Sequence, residues 1–150
     1  MNVTIELQNH SGSRQVPLKR QFKHWALAAL SAVASERVVN RLSIRLVDET
    51  ESAYLNDKYR NKQGPTNILS FPVPGELKHL PALGDLAICT QVVQREAQAQ
   101  GKSADAHWAH LTVHGVLHLR GYDHEIDTEA RAMEALETSI LHQLGYPDPY

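Results

Sequence analysis

Five of the chain's nine histidines lie between residues 107 and 124, and their spacing restricts how this part of the chain can fold. Four of them recur every three or four residues and so form one stripe along a helix: His107, His110, His114 and His118. Gly121 follows, and glycine readily adopts the left-handed conformation that ends helices. The spacing predicts a helix from Ser103 to about Arg120, then a chain reversal that brings His124 back toward the stripe.

This stripe and the reversal after it predict a metal site. Histidines four apart on a helix lie one turn apart, so both imidazoles can bind one ion. His110 and His118 would lie about 12 Å apart on a straight helix, too far to share an ion whose bonds to nitrogen are about 2.0–2.1 Å. We predict one Zn²⁺ per chain, bound by His114, His118 and His124, with an open position for a water of lowered pKa. His107 and His110 are more typical of hydrogen-bonded histidines on a half-buried face.

The spacing also matches the H-E-x-x-H-x-x-G-x-x-H pattern of the metzincin proteases, and the mismatch within it is informative. In those enzymes the residue after the first histidine is the glutamate that acts as general base. Here that position is Gly115, which has no side chain. The residues alone therefore predict a metal-dependent hydrolase that lacks the protease base.

The remaining pattern predicts one α+β (mixed α/β) domain over residues 1–150. Alternating apolar residues indicate strands at 2–8 and 42–48, and short apolar runs add strands at 67–71 and 84–89. Helical spacing predicts about five helices, near residues 17–35, 49–60, 90–100, 103–120 and 127–144, with Ser103 and Asp127 as the N-caps of the last two. We expect a four-stranded mixed sheet covered by these helices, with the metal site on a helix and the loop after it.

Composition excludes several classes of protein. The apolar and charged fractions, 42% and 21%, are ordinary for a globular domain, and a formal charge of −2 gives no general affinity for nucleic acid. Cys89 is the single cysteine, so no disulfide within the chain is expected. No apolar run approaches the ~20 residues of a membrane span, and the first residues lack the features of a secretory signal. We expect a cytoplasmic protein with no membrane partner.

Three blocks of sequence resemble a known family. The segment from His114 to His124, HGVLHLRGYDH, meets every fixed position of the H-G-x-L-H-L-x-G-Y-D-H motif of the YbeY family, bacterial endoribonucleases also called rRNA maturation factors. The resemblance covers about residues 40–145. Other matching positions are Asn56, Tyr59, Arg60, the segment 65–72, the segment 83–86, Met133, Glu137, Ile140 and Leu141.

The resemblance implies a zinc-dependent, single-strand-specific endoribonuclease that acts in 16S rRNA 3′-end processing, ribosome maturation and quality control. It implies that the three histidines bind the metal, that Arg60 is functional, and that the partners are single-stranded rRNA and the ribosome or its small subunit with associated proteins. We expect both His114 and Arg60 to be catalytic. Arg60 suits this role because an arginine can clamp phosphate oxygens with two parallel hydrogen bonds. Further candidate substrate-binding residues are Lys62, Ser70, Phe71 and Arg120.

Two other functions stay open at this point. A metallopeptidase-like hydrolase would fit the metzincin-like spacing, although Gly115 counts against it. A ribosome-binding factor without catalysis would use zinc only to hold the fold together, and its metal would be closed by a fourth protein ligand.

Overall fold

The computed structural model describes residues 2–33, 35–123 and 125–150. The four strands are β1 (Thr4–Asn9), β2 (Arg41–Val47), β3 (Ile68–Pro72) and β4 (Ala82–Cys89). The five helices are α1 (Lys19–Ala32), α2 (Glu49–Arg60), α3 (Thr90–Ala99), α4 (Ala104–Leu119) and α5 (Asp127–Gln143), and a short 3₁₀ turn spans Gly75–Leu77. Within the described ranges, no helix combines the length and the apolar character needed to cross a bilayer.

The strands form one mixed sheet in the order β1-β2-β4-β3. β1, β2 and β4 are parallel neighbours, and β3 runs antiparallel to β4 at one edge. Pro72 ends β3 at this edge, where the missing amide hydrogen of a proline disturbs the sheet least. The prediction of a single α+β domain with a four-stranded mixed sheet and about five helices is confirmed.

The two faces of the sheet differ in polarity. On one face Leu42 and Ile44 of β2 pair with Gly84 and Leu86 of β4, and these strands bury that face beneath α1 and α4. The core between these layers contains a T-shaped contact between Phe22 and Trp108, with their ring centroids 5.8 Å apart. The other face is lined by polar side chains and is partly covered by α2: Glu6, Gln8, Ser43, Arg45 and Asp85.

Helix α4 approaches the sheet closely because of a glycine. A Cβ atom on Gly115 would lie 2.7 Å from Ile68 Cδ1 and 2.8 Å from Leu86 Cδ2, both closer than ordinary contact. Any larger residue at 115 would therefore push the helix away from the sheet or force these two side chains to move. This position, where metzincins have their glutamate base, points into the core.

Several helix ends differ from the predicted ones. Helix α1 begins at Lys19 rather than at 17, because Gln21 Oε1 accepts the backbone N–H of Leu18, the N-cap residue, at 2.8 Å. The predicted cap of α4 is confirmed, with Ser103 Oγ accepting the N–H of Ala106. In α5, Asp127 is the first helical residue instead of the cap, and Ile126 stands at the N-cap.

A bulge in β4 places a glycine where no other residue fits easily. Arg41 pairs with Ala82 but Leu42 pairs with Gly84, so β4 has an extra residue at this point. Gly84 has a φ of +145°, and a Cβ atom there would lie 2.6 Å from the backbone oxygen of Phe71. Both the backbone conformation and the contact with β3 therefore require glycine.

Gly84→Ala is expected to lower the free energy of unfolding by about 2 kcal/mol or more, since it adds backbone strain and a clash with an atom that cannot rotate away. Gly12→Ala is the matched control, because Gly12 has a φ of +79° but no atom within 4 Å of the added Cβ. It should cost about 1 kcal/mol from the left-handed conformation alone. Urea denaturation would measure both, and equal losses would contradict the proposed clash.

Candidate metal centre

Two imidazoles on successive turns of α4 face each other at the end of the histidine stripe. His114 Nε2 and His118 Nε2 lie 3.1 Å apart. Two nitrogens bound to one tetrahedral zinc at about 2.0–2.1 Å are separated by roughly 3.3 Å, so this pair has the donor type and the spacing for one ion. The third predicted ligand, His124, lies outside the described residues, and the complete ligand set therefore stays a prediction.

The other ring nitrogen of His114 contacts a buried carboxylate. Glu137 lies on α5 with its side chain 0% exposed, and its Oε1 is hydrogen bonded to His114 Nδ1. Its Oε2 accepts a hydrogen bond from the Tyr150 hydroxyl and lies 3.3 Å from His110 Nε2. A carboxylate without solvent thus has three polar neighbours.

The charge of Glu137 decides which nitrogen of His114 carries a hydrogen. Burial alone would raise the pKa of Glu137, but the hydrogen bonds from His110, His114 and Tyr150 outweigh it and lower the pKa to about 2. An ionised carboxylate only accepts hydrogen bonds, so His114 Nδ1 must be the donor. The Nε2 atom of His114 then carries the lone pair that a metal ion needs.

A different group of potential ligands overlaps this pair. Ligand atoms of His110, His114 and Glu137 all lie within 4.8 Å of one another, so this group could hold a metal ion. Its atoms, however, already form a hydrogen-bonded network in which Glu137 contacts His114 and the Tyr150 hydroxyl directly. An ion bound there would have to displace those hydrogens, whereas an ion between His114 and His118 would leave the network intact.

His107, at the opposite end of the stripe, contacts a second carboxylate. Its Nε2 lies 2.9 Å from Glu96 Oε1, and the same oxygen accepts a hydrogen bond from the side-chain amide of Asn67 at 3.0 Å. Glu96 therefore joins α3, α4 and the residue that precedes β3. The interpretation of His107 and His110 as buried, hydrogen-bonded histidines agrees with these contacts.

His114 and His118 line a groove with a volume of about 650 Å³. One wall comes from the end of α2, the loop after it and β3, and the other wall includes residues 121–123. The predicted site residues that line the groove are Arg60, Lys62, Ser70, His114 and His118. The structure therefore brings most of the predicted active-site residues into one concave surface.

Arg60 occupies the rim of this groove in a fixed orientation. Its guanidinium donates to the backbone oxygen of Ser70 at 2.6 Å and to that of Tyr59 at 3.0 Å. The same group lies 5.2 Å from the centre of the Phe71 ring, a distance typical of cation–π contact. A positive charge at the last residue of α2 is thereby attached to β3.

The loop that follows α2 is attached to that helix by side chains. Asn61 ends α2 in the left-handed conformation, with a φ of +55°. Asn56 Nδ2 then donates to the backbone oxygen of Gly64 at 2.9 Å, and Ser52 Oγ donates to the backbone oxygen of Thr66 at 2.9 Å. These hydrogen bonds hold the wall of the groove from Arg60 to the start of β3.

Two predicted substrate-binding residues lie elsewhere. Phe71 lines the polar face of the sheet on the far side from the histidines. Arg120 donates to Ser35 Oγ at 3.1 Å and to the backbone oxygen of Arg37 at 3.0 Å, which links the end of α4 to the segment before β2. RNA-binding roles for Phe71 and Arg120 stay predictions, and the positions of these residues do not favour such roles.

Sequence reasoning did not assign a function to Glu137 or Tyr150. A signal for Glu137 was present, because it lies four residues from both Met133 and Leu141 and so occupies the apolar stripe of α5. A carboxylate on the buried face of a helix needs partners, and the histidine stripe offers them. Tyr150 had no such signal, because its approach to Glu137 depends on the course of the chain after α5.

Comparison with known proteins gives a consistent result. Residues 6–145 match the family model described as Endoribonuclease YbeY. The chain is 50% identical to the Endoribonuclease YbeY of Nitrosococcus oceani, over 100% of this chain and 98% of that protein. It is 52% identical to the Endoribonuclease YbeY of Pseudomonas fluorescens, over 97% and 96% of the two chains. The solution structure of TM1509 from Thermotoga maritima shares the fold, with a TM-score of 0.61 and 23% identity over 92% and 88% of the two chains.

The buried His107 should make the stability of the metal-free protein depend on pH. Burial lowers the pKa of His107, although Glu96 opposes this through its hydrogen bond and charge. Since the unfolded histidine has a pKa of about 6.5, the unfolded state binds more protons, and stability present above that pH is lost as the pH falls below it.

His107→Gln retains a donor to Glu96 and removes the titration, so between about pH 6.5 and 5 its free energy of unfolding should fall less steeply than that of the wild type. The difference in slope has an upper limit of about 1.4 kcal/mol per pH unit. Urea denaturation with a chelator present would test this. Parallel curves for the two proteins would show that His107 does not contribute.

Proposed function

Because the chain belongs to the YbeY family of endoribonucleases, we propose that its histidine groove is the active site of a zinc-dependent nuclease that cleaves single-stranded rRNA. The observation that supports this most directly is the His114–His118 pair, with its Nε2 atoms 3.1 Å apart, in a groove whose rim has Arg60. We further propose that residues 1–150 act as one hydrolase domain and that His124 completes the ligand set.

The donor set fits zinc. Three imidazoles with one open position are typical of catalytic zinc, whereas magnesium prefers oxygen ligands. When bound, the ion would supply a Lewis acid for the phosphate and an acidified water at neutral pH. In the metal-free protein, Glu137 already holds His114 with its Nε2 lone pair toward His118, so His114 needs no change of tautomer to bind a metal.

The charges around the groove would act on the phosphate. Cleavage of a phosphodiester passes through a state with additional negative charge, which a fixed cation stabilises. The guanidinium of Arg60 carries several N–H donors and is already held against Ser70. It can therefore bind a phosphate oxygen with little further loss of side-chain entropy. Lys62, which also lines the groove, would attract the backbone of the RNA.

Preference for single strands would follow from the depth of the site. The His114 side chain is 23% exposed, so the scissile phosphate has to enter the groove to reach it. A flexible single strand can bend into such a groove, whereas an A-form duplex presents its phosphates on a stiff, wide surface. Thr66 and Ser70 in the walls offer polar groups to an unpaired strand.

The biological setting is also part of the proposal. Following the family resemblance, we place the activity in 16S rRNA 3′-end processing, ribosome maturation and quality control. The enzyme would act in the cytoplasm together with the small ribosomal subunit and its associated proteins. A metallopeptidase has no support from the site, because position 115 faces Ile68 and Leu86 in the core.

Purified protein of measured zinc content should cleave a single-stranded RNA carrying the 16S 3′ end and leave the same sequence in a duplex largely intact. His114→Ala and His118→Ala should each bind less zinc and lose roughly 100-fold or more of the cleavage rate, since even partners outside the ligand set are worth 10–100-fold. Gel analysis of end-labelled RNA would measure the rates. Removal of zinc by a chelator should have the same effect, with recovery when zinc is returned.

His79→Ala is the control for these variants, because His79 is exposed and lies outside the groove. Equal cleavage by the wild type and His114→Ala would indicate a contaminating nuclease and contradict the proposal. Cleavage of a peptide library without cleavage of RNA would favour the metallopeptidase. A metal closed by a fourth protein ligand would favour the ribosome-binding factor held together by zinc.

Arg60→Ala should reduce cleavage by about 10²–10³-fold while the zinc content stays constant, because it removes charge stabilisation from the transition state. Arg60→Lys should recover part of the rate, since it keeps the charge but loses the fork. Arg131→Ala, an exposed arginine on α5, is the matched control. Unchanged cleavage by Arg60→Ala would exclude Arg60 from the mechanism.

A further inference from the structure

We propose that Glu137 is a positioning residue that selects the tautomer of His114, and that Tyr150 and His110 brace it from the side opposite His114. The inference rests on the proposed function, because it assigns the control of a metal ligand to residues that do not bind the metal. Its basis is one hydrogen-bonded network around the buried Glu137 carboxylate that joins α4, α5 and the segment after α5.

The two oxygens of Glu137 face different partners. Oε1 contacts His114 Nδ1, and Oε2 contacts the Tyr150 hydroxyl and lies 3.3 Å from His110 Nε2. His110 Nε2 also lies 3.4 Å from the Tyr150 hydroxyl oxygen. Because the carboxylate accepts on both sides, the hydrogen of the His114 imidazole is kept on Nδ1 and its lone pair on Nε2. A carboxylate behind a histidine ligand in this way fixes the orientation of the ring and makes the ligand more basic.

Tyr150 reaches this network because the segment after α5 is anchored nearby. Lys102 Nζ, between α3 and α4, donates to the backbone oxygen of Pro149 at 2.9 Å. The N–H of Tyr150 is bonded to Asp148 Oδ1 at 2.9 Å, which closes a turn just before the aromatic ring. The ring of Tyr150 then packs edge-on against that of His110, with their centroids 5.3 Å apart. The Tyr150 side chain is therefore held beside Glu137 by several contacts of its own segment.

The hydrogen bonds around Glu137 determine how a glutamine in its place would be oriented. In Glu137→Gln, the side-chain oxygen would face Tyr150 and His110, because both of these residues donate hydrogen bonds on that side. The amide NH₂ would then face His114 Nδ1 and act as a donor. His114 could satisfy it only by accepting at Nδ1, which moves its own hydrogen to Nε2 and removes the lone pair that faces His118.

Two measurements test this on the full chain. Long-range ¹H–¹⁵N spectra of the metal-free protein report histidine tautomers, with His114 identified by the signals lost in His114→Ala. The wild type should show the hydrogen on Nδ1, and Glu137→Gln should show it on Nε2. Zinc titration at one pH should give a dissociation constant about 10–100-fold weaker for Glu137→Gln and about 3–10-fold weaker for Tyr150→Phe. Glu129→Gln, an exposed carboxylate on the same helix, should match the wild type.

A cobalt spectrum separates a positioning role from direct ligation. At saturating Co²⁺, Glu137→Gln should have the same absorption bands as the wild type, because the ligand set is unchanged. Shifted bands would mean that Glu137 is itself a ligand, as in the alternative group with His110 and His114, and would overturn the inference. An unchanged tautomer together with zinc affinity within twofold of the wild type would overturn it as well.

The outcomes also distinguish this inference from the proposed function. A wild type that binds zinc through His114 and cleaves RNA, beside a Glu137→Gln protein that binds zinc equally well, contradicts the inference alone. Zinc affinity that is unaffected by His114→Ala contradicts both. Should Glu137→Gln fail to fold, Tyr150→Phe decides, because it removes one hydroxyl and keeps the ring; affinity within twofold of the wild type would then count against the brace.

Discussion

The contact between α4 and the sheet at Gly115 determines the arrangement of the other elements around the site. Because the helix lies directly on Ile68 and Leu86, its rotation about its own axis is restricted. The histidine stripe is then left on sides of the helix that face α3, α5 and the groove. A helix rotated about its own axis would keep the spacing of His114 and His118 but would turn the pair away from Glu137 and the groove.

The stripe pairs with carboxylates from neighbouring helices, and this changes what each histidine can do. Glu96 meets His107 from α3, and Glu137 meets His110 and His114 from α5. Glu137 is fully buried and costly unless its hydrogen bonds are complete, so its contacts hold α5 against α4, while the contact between Glu96 and His107 joins α3 to α4. Residues that shape the candidate metal centre are thus the same residues that join the helices.

Much of the fold and part of the site could be predicted from the sequence. Strand alternation, helical spacing and the Ser103 cap are local signals, and the sheet and the five helices followed them. The pairing of His114 with His118 was also local, because it depends only on the rise of one helix. Glu137, Tyr150 and the attachment of Arg60 to Ser70 depend on how distant segments pack, which no local pattern contains.

The attachment of Arg60 to β3 has a consequence for how freely this wall of the groove can change. The acceptor is the backbone oxygen of Ser70, and every amino acid supplies that atom. Replacing the serine would therefore leave the guanidinium where it is, provided that the strand keeps its register. The position of the cation is therefore robust to mutation of residue 70, and the side chain there, which also lines the groove, can vary without moving the arginine.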